Sequence, residues 1–195
     1  MSRLGGQVVY DTDRNITWLA DANYAKTSGY DADGLMNWTD ANAWAASLNI
    51  GGYTGWRLPT TLNLDSSCSV YIPSFLSYGY NCTGSELGHL FYNGLGGVAN
   101  QSILITHNSN FDLFTNVEST TYRSGTDAPN PLMTRGFTTW DGNQYYGLFK
   151  DSATRSWAVR SGDVGGSGTV PEPDMIWLLG AGALAWRGTR TRRRG

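Results

Sequence analysis

Charged side chains, cysteine and histidine are scarce in this chain of 195 residues. It has 14 Lys and Arg, 16 Asp and Glu, two cysteines and two histidines. Residues 1–164 carry 9 basic and 14 acidic side chains, a net charge of −5, so there is no basic face for nucleic acid. Gly, Asn, Ser, Thr, Trp and Tyr are plentiful instead, which is typical of a loop-rich extracellular domain rather than a helical cytosolic enzyme.

Residue types that support catalysis are equally sparse. The sequence contains no nucleophile elbow, no phosphate-binding loop and no pair of metal-binding histidines. His89 lies in a predicted helix, where a packed, hydrogen-bonded role is favoured, and His107 lies in a polar stretch. Residues 11–15 begin like a calcium loop, but Ile16 occupies the sixth position, where glycine is needed. We therefore predict that the protein is not an enzyme and has no metal or cofactor.

The two cysteines, Cys68 and Cys82, fall in a stretch rich in Ser, Tyr and Gly that is predicted to be a loop, residues 61–84. A metal site is disfavoured because no histidine lies nearby to complete it. In an oxidising compartment the two thiols are expected to pair, which would stabilise the fold by about 3 kcal/mol in the chain-entropy model. The alternative is two unrelated free thiols.

Hydrophobic periodicity predicts an α+β chain with two early helices and a late antiparallel sheet. Residues 7–11 and 16–19 favour a hairpin. One helix is expected over residues 40–48 after Thr39 as N-cap, and a second over 86–95 after Ser85. Further strands are expected at residues 56–60, 111–114, 119–123, 135–139, 145–149 and 156–160.

The motif Trp56-Arg57-Leu58-Pro59-Thr60 has two interpretations. Arg57 is either a ligand contact or a packed arginine that pairs with an acidic residue beside a proline-directed turn. The structural interpretation is favoured.

The last 25 residues combine three unlike segments in a fixed order. Pro171, Glu172 and Pro173 come first, followed by a 12-residue apolar run from Met175 to Trp186. The chain then ends in five arginines: Arg187, Arg190, Arg192, Arg193 and Arg194. A 12-residue helix spans roughly 18 Å, well short of the ~30 Å hydrocarbon core of a bilayer. A short apolar helix in transient contact with the membrane is therefore expected rather than a permanent anchor.

This order of segments resembles the PEP-CTERM sorting signal of Gram-negative bacteria that produce exopolysaccharide. The resemblance implies export to the cell envelope or outside the cell, and processing by an exosortase-type enzyme. The alternative is an amphipathic or frayed tail with a basic end. Residues 1–6 lack the apolar segment of a signal peptide. Either the start has been trimmed or mis-assigned, which is favoured, or the export interpretation is wrong.

A second resemblance covers residues 6–164. The motifs that carry it, in order, are Val9-Tyr10-Asp11, Thr17-Trp18-Leu19, Asp21-Ala22-Asn23-Tyr24-Ala25, Trp44-Ala45, Gly52-Tyr53, Trp56-Arg57-Leu58-Pro59-Thr60, Leu87-Gly88-His89-Leu90-Phe91-Tyr92-Asn93 and Trp157-Ala158-Val159-Arg160. Together they resemble the bacterial domain family named after the C-terminal part of the Legionella collagen-like adhesin.

The resemblance implies a C-type-lectin-like fold in which the first and last strands pair. It divides the chain into a domain at 1–164, a Gly/Ser linker at 165–170 and a sorting tail at 171–195. The family tends to have a tryptophan before Ser-x-Thr late in the chain, whereas this chain has Tyr122-Arg123-Ser124-Gly125-Thr126. This departure places a pocket built around that tryptophan in doubt. Segments 128–131 and 140–143 faintly resemble the calcium-binding segments of sugar-binding lectins, but Ala128 lacks the carboxylate.

These observations predict an exported binding protein that contacts extracellular polysaccharide or matrix. Aromatic side chains in loops, with neighbouring Asp and Asn, are candidates to stack on sugars and bond to them: Tyr78, Tyr80, Trp140, Asp141, Asn143, Tyr145 and Tyr146. The structural alternative is that these aromatics fill the core of a loop-rich fold. Two other functions remain open, an envelope enzyme that acts on polysaccharide through paired carboxylates and a purely structural matrix protein.

If the tail is a sorting signal, the mature protein in its native host should lack the arginine-rich end. Mass spectrometry of the secreted or surface-bound form should then find a C-terminus near Pro171 to Pro173. Recovery of intact Arg192, Arg193 and Arg194 would contradict the sorting role. It would favour a basic tail held at anionic lipid, an attraction of about 1 kcal/mol per arginine.

Overall fold

Short antiparallel strands and helices alternate with long loops in residues 1–165, the part described by the computed structural model. The strands are Ser2–Arg3 (β1), Val8–Asp11 (β2), Ile16–Leu19 (β3), Val70–Ile72 (β4), Leu76–Tyr78 (β5), Thr121–Asp127 (β6), Met133–Thr138 (β7), Gln144–Phe149 (β8) and Val159–Ser161 (β9). The helices are Tyr24–Thr27 (α1), Trp38–Ser47 (α2) and Glu86–His89 (α3). This agrees with the α+β class. The predicted apolar helix of the tail lies outside the described residues.

The N-terminal hairpin forms as predicted and belongs to a sheet with strand order β1-β2-β3-β9. Strands β2 and β3 pair antiparallel, and Asn15 adopts a φ of 51° in the turn between them, a left-handed conformation that asparagine tolerates. The predicted pairing of the first and last strands was wrong: the last strand, β9, pairs with β3, the second strand of the hairpin, whereas β1 pairs with β2. The two ends of the described chain therefore meet in one sheet.

Tryptophans dominate the core under this sheet. Trp18 and Trp157 are buried and meet edge to face with ring centroids 5.4 Å apart, and the Trp157 indole N–H donates to the Leu19 carbonyl at 2.7 Å. Tyr122 is buried against Trp157. Its hydroxyl accepts a hydrogen bond from the Glu118 amide. Tyr122 is therefore part of the core, as is the buried Arg123 that directly precedes Ser124.

The two predicted helices exist with different bounds. Helix α2 begins at Trp38, not at residue 40, because the Asn37 side chain accepts the Asp40 amide at 3.0 Å and is the N-cap in place of Thr39. Helix α3 is only four residues long and continues as a π-helical turn, Leu90–Gly94. Gly88 lies so close to the loop that an added Cβ would come within 1.9 Å of the Cys82 carbonyl.

Two predicted strands were wrong. Residues 111–114 lie largely in a 3-10 helix, Ser109–Leu113, whose N-cap Asn108 accepts the Asn110 amide. Residues 56–60 form only a single bridge, between Arg57 and Val159. In both segments, apolar residues pack into the core from irregular backbone, so their hydrophobicity gave a misleading strand signal.

The later strands form a separate antiparallel sheet, β6-β7-β8, within four residues of the predicted bounds. The cysteine segment is more ordered than the predicted loop, since it contains the β4–β5 hairpin. Cys68 and Cys82 are joined by a disulfide with Cα atoms 4.1 Å apart.

In residues 1–165, no helix combines the length and apolar character that crossing a membrane requires.

Removing the disulfide should destabilise the protein. The cysteines are 14 residues apart, and the chain-entropy model assigns about 3 kcal/mol to a loop of about 15 residues. Replacing both cysteines with alanine should therefore lower the free energy of unfolding by about that amount in urea denaturation of the full chain. Treatment of the wild-type protein with reductant should lower its free energy of unfolding to a similar value. An unchanged denaturation midpoint in both samples would contradict this expectation.

The structural role predicted for Arg57 can be tested in the same way. Its guanidinium donates two hydrogen bonds of 2.7 Å to Glu86, whose carboxylate also accepts the Thr60 amide. Arg57→Ala should cost roughly 1–2 kcal/mol of stability, after allowance for solvent screening of the partly exposed pair. Arg57→Lys should recover only part of the lost stability, because lysine lacks the planar guanidinium that donates two hydrogen bonds to one carboxylate. Full stability in Arg57→Ala would instead favour the ligand-contact role.

Candidate functional site

An open groove lies between the β4–β5 hairpin and the β6-β7-β8 sheet. Its volume is about 410 Å³. It is lined mainly by apolar and aromatic side chains: Ile72, Phe75, Leu76, Tyr78, Pro129, Asn130, Met133 and Tyr146. A mostly apolar concavity with a few polar groups is the usual form of a ligand site.

A buried arginine holds the hairpin in place beside the sheet. Arg135, in β7, is fully buried; it donates to the Ser77 carbonyl at 2.9 Å and to the Asn63 side-chain oxygen at 2.8 Å. Burial lowers the pKa of Arg135. Gly79 and Gln144 exchange backbone hydrogen bonds of 3.0 and 2.8 Å, which joins the end of the hairpin to β8. The relative position of the two groove walls is therefore fixed by polar contacts.

The base of the cysteine loop is fixed by the disulfide and by the buried carboxylate of Asp65. One oxygen of Asp65 accepts the Ser67 amide at 3.0 Å, and the other accepts the Gly84 amide at 2.8 Å. Asp65, Cys68 and Cys82 lie close together. They do not form a metal site, because both sulfur atoms are committed to the disulfide.

Two of the predicted site residues meet in the groove. The rings of Tyr78 and Tyr146 are 4.8 Å apart and tilted by 53°. Tyr146 is 45% exposed, and Phe75, on the opposite rim of the groove, is 60% exposed. Large aromatic side chains so open to solvent form a surface that a planar or ring-shaped ligand can cover.

The other predicted site residues lie elsewhere. The Tyr80 hydroxyl donates to Asp141 at 3.4 Å, and Asp141 is buried with its other oxygen accepting the Asn143 amide and the Thr138 hydroxyl. These contacts shape the turn between β7 and β8. Trp140 is half exposed on that turn. Tyr145 precedes Tyr146 in β8, so its side chain points to the opposite face of the strand.

Sequence reasoning missed the remaining lining residues and Arg135. Residues 70–78 do carry a usable signal, since apolar side chains flank Pro73 and Ser74 as in a hairpin. Ser74 adopts a φ of 62° at the tip. Nothing in the sequence indicates that Arg135 is buried, because the carbonyl and amide groups that receive its hydrogen bonds lie in a distant segment.

A second cleft, of about 180 Å³, contains a cluster of two carboxylates and an imidazole. The His89 Nε2 atom lies 3.7 Å from Asp11 Oδ2 and 4.0 Å from Asp13 Oδ2. Burial lowers the pKa of His89, although the two carboxylates raise it in part. In residues 1–165 these are the side chains outside the disulfide loop whose spacing suits a metal ion. The expectation of no metal therefore needs a direct test.

Comparison with known families and proteins gives two matches in adjoining parts of the chain. A family model described as the Lcl C-terminal domain matches residues 7–160. A model described as the PEP-CTERM protein-sorting motif matches residues 169–194. No curated protein and no solved structure matches the chain. The C-type-lectin-like fold therefore stays a prediction.

Proposed function

This chain belongs to the Lcl C-terminal domain family and carries the sorting motif of an exported envelope protein that an exosortase-type enzyme processes; on that premise, we propose that it binds extracellular polysaccharide. The observation that carries the proposal is the open groove whose lining includes the Tyr78–Tyr146 pair.

The lining of the groove suits a sugar polymer. Tyrosine offers a rigid ring that can cover the apolar face of a sugar, and a hydroxyl that can bond to a sugar hydroxyl. Asn130 adds an amide with both a donor and an acceptor. The groove is open to solvent, so a long chain can lie along it with both ends free.

The charge of the groove favours a neutral polymer over a strongly acidic one. The described lining residues include no Lys, Arg, Asp or Glu. Residues 1–164 as a whole carry a net charge of −5, which repels polyanions at long range. Recognition must therefore rest on ring packing and hydrogen bonds to hydroxyl groups.

Binding is favoured over hydrolysis at this groove. A glycosidase needs two carboxylates that flank the scissile bond at about 5–9 Å from each other. The described lining residues of the groove supply none. That the protein is not an enzyme stays a prediction.

The proposal is tested with the full chain in a detergent that has no sugar headgroup. Tyr146→Ala should weaken binding to neutral exopolysaccharide from the native host by about tenfold, which corresponds to 1.4 kcal/mol. Tyr78→Ala should have a similar effect, since it removes the other ring of the pair. Affinity electrophoresis in gels that contain the polymer measures both changes.

Tyr145→Ala is the matched control. It removes an equally exposed tyrosine from the same strand, on the face opposite Tyr146, and should leave binding unchanged. Equal loss in Tyr145→Ala and Tyr146→Ala would contradict the groove as the site, and no retardation of the wild-type protein would contradict polysaccharide binding. Release of reducing ends from the polymer would favour the enzyme alternative.

A further inference from the structure

We propose that Asp11, Asp13 and His89 bind a divalent transition-metal ion, with Zn²⁺ as the first choice. This inference does not depend on polysaccharide binding, because the cluster lies in a different cleft from the aromatic groove.

The spacing of the three side chains is close to that of metal ligands. The His89 Nε2 atom lies 3.7 Å from an Asp11 oxygen and 4.0 Å from an Asp13 oxygen, and all three ligand atoms lie within 4.8 Å of one another. Ligands about 2.1 Å from a tetrahedral zinc ion are about 3.4 Å apart. Small side-chain rotations would therefore bring these atoms to a common ion.

The imidazole of His89 is partly buried in the wall of the cleft, with its side chain 12% exposed. It makes no side-chain hydrogen bond within residues 1–165, and the Asp11 and Asp13 oxygens lie beyond hydrogen-bonding distance. A metal ion at the centre of the cluster would bind the ring nitrogen together with both carboxylates.

The local backbone directs the side chains of Asp11, Asp13 and His89 toward one another. Asp11 ends β2, and one of its oxygens accepts the amides of Asp13 and Arg14, which leaves the other oxygen directed at His89. His89 ends α3, directly before the π-helical turn Leu90–Gly94. Such turns are frequent at functional sites because they change the direction of neighbouring side chains.

The ligand set identifies the class of metal. Ca²⁺ and Mg²⁺ prefer sites made only of oxygen, whereas an imidazole with carboxylates suits zinc and its neighbours. Arg14 is the nearby positive charge, but its guanidinium donates to the Thr83 carbonyl. Three protein ligands leave a fourth position for water or a ligand group, on the side of the cleft that Asn93 and Asn110 line.

Isothermal titration of the tag-free full chain with ZnCl₂, after treatment with chelator, tests the site. One zinc ion per chain should bind. His89→Ala should weaken the affinity by at least tenfold, and His107→Ala, which removes the other histidine of the chain, should not change it. Asp13→Asn should also weaken binding by about tenfold; its side chain is 75% exposed, so this substitution leaves the fold intact.

The inference would be overturned if the wild-type protein bound no Zn²⁺ below millimolar concentration, or if it bound Ca²⁺ more tightly than Zn²⁺. It would also be overturned if His89→Ala bound Zn²⁺ as tightly as the wild type, or if His89→Ala and His107→Ala lost the same amount of Zn²⁺ affinity. If His89→Ala does not fold, Asp13→Asn and Asp11→Asn decide the question, since asparagine can still accept the turn amides at position 11. Zinc affinity that is retained in both asparagine variants contradicts the site.

Discussion

Backbone hydrogen bonds between β3 and β9 close the described part of the chain on itself. They bring Trp157 under the N-terminal sheet, where its indole donates to Leu19, 138 residues earlier in sequence. The edge-to-face contact with Trp18 adds to the stabilisation of these short strands. Once these strands pair, residues 20–158 form one long segment whose two ends lie side by side. The irregular backbone of that segment can then be ordered by side-chain contacts rather than by a continuous sheet.

The groove lies within residues 20–158, and its shape depends on polar groups that are buried in this segment. Arg135 reaches from β7 to the carbonyl of Ser77, and the disulfide closes the loop that carries the hairpin. A buried cation with only neutral partners is costly unless each contact is maintained. Loss of one contact should therefore shift the hairpin and alter the distance between Tyr78 and Tyr146. The shape of the groove and the stability of the cysteine loop therefore depend on the same contacts.

Sequence patterns predicted the parts of the fold that have regular periodicity. The hairpin, the β6-β7-β8 sheet and the approximate position of α2 follow from alternation and helical spacing, although Asn37 and not Thr39 caps α2. Family resemblance predicted that the first and last strands pair; the two ends do meet in one sheet, but β9 pairs with β3 rather than with β1. The groove was predicted only in part, and Gly79 shows why. At a φ of 96°, it breaks the alternation of the strand, so Tyr80 turns to Asp141 while Tyr78 meets Tyr146. The partners of Arg135 and the approach of His89 to Asp11 depend on tertiary contacts that no local pattern encodes.

Mapping of a bound ligand on the full chain tests the polysaccharide-binding account most directly. Backbone amide NMR shifts should be recorded while short oligosaccharides cut from the host's neutral exopolysaccharide are added. The account predicts that the largest shifts fall in residues 72–78, 130–133 and 144–147, on both walls of the groove. Shifts that centre on the cleft of Asp11 and His89, or on the turn of Trp140 without the groove, would contradict it.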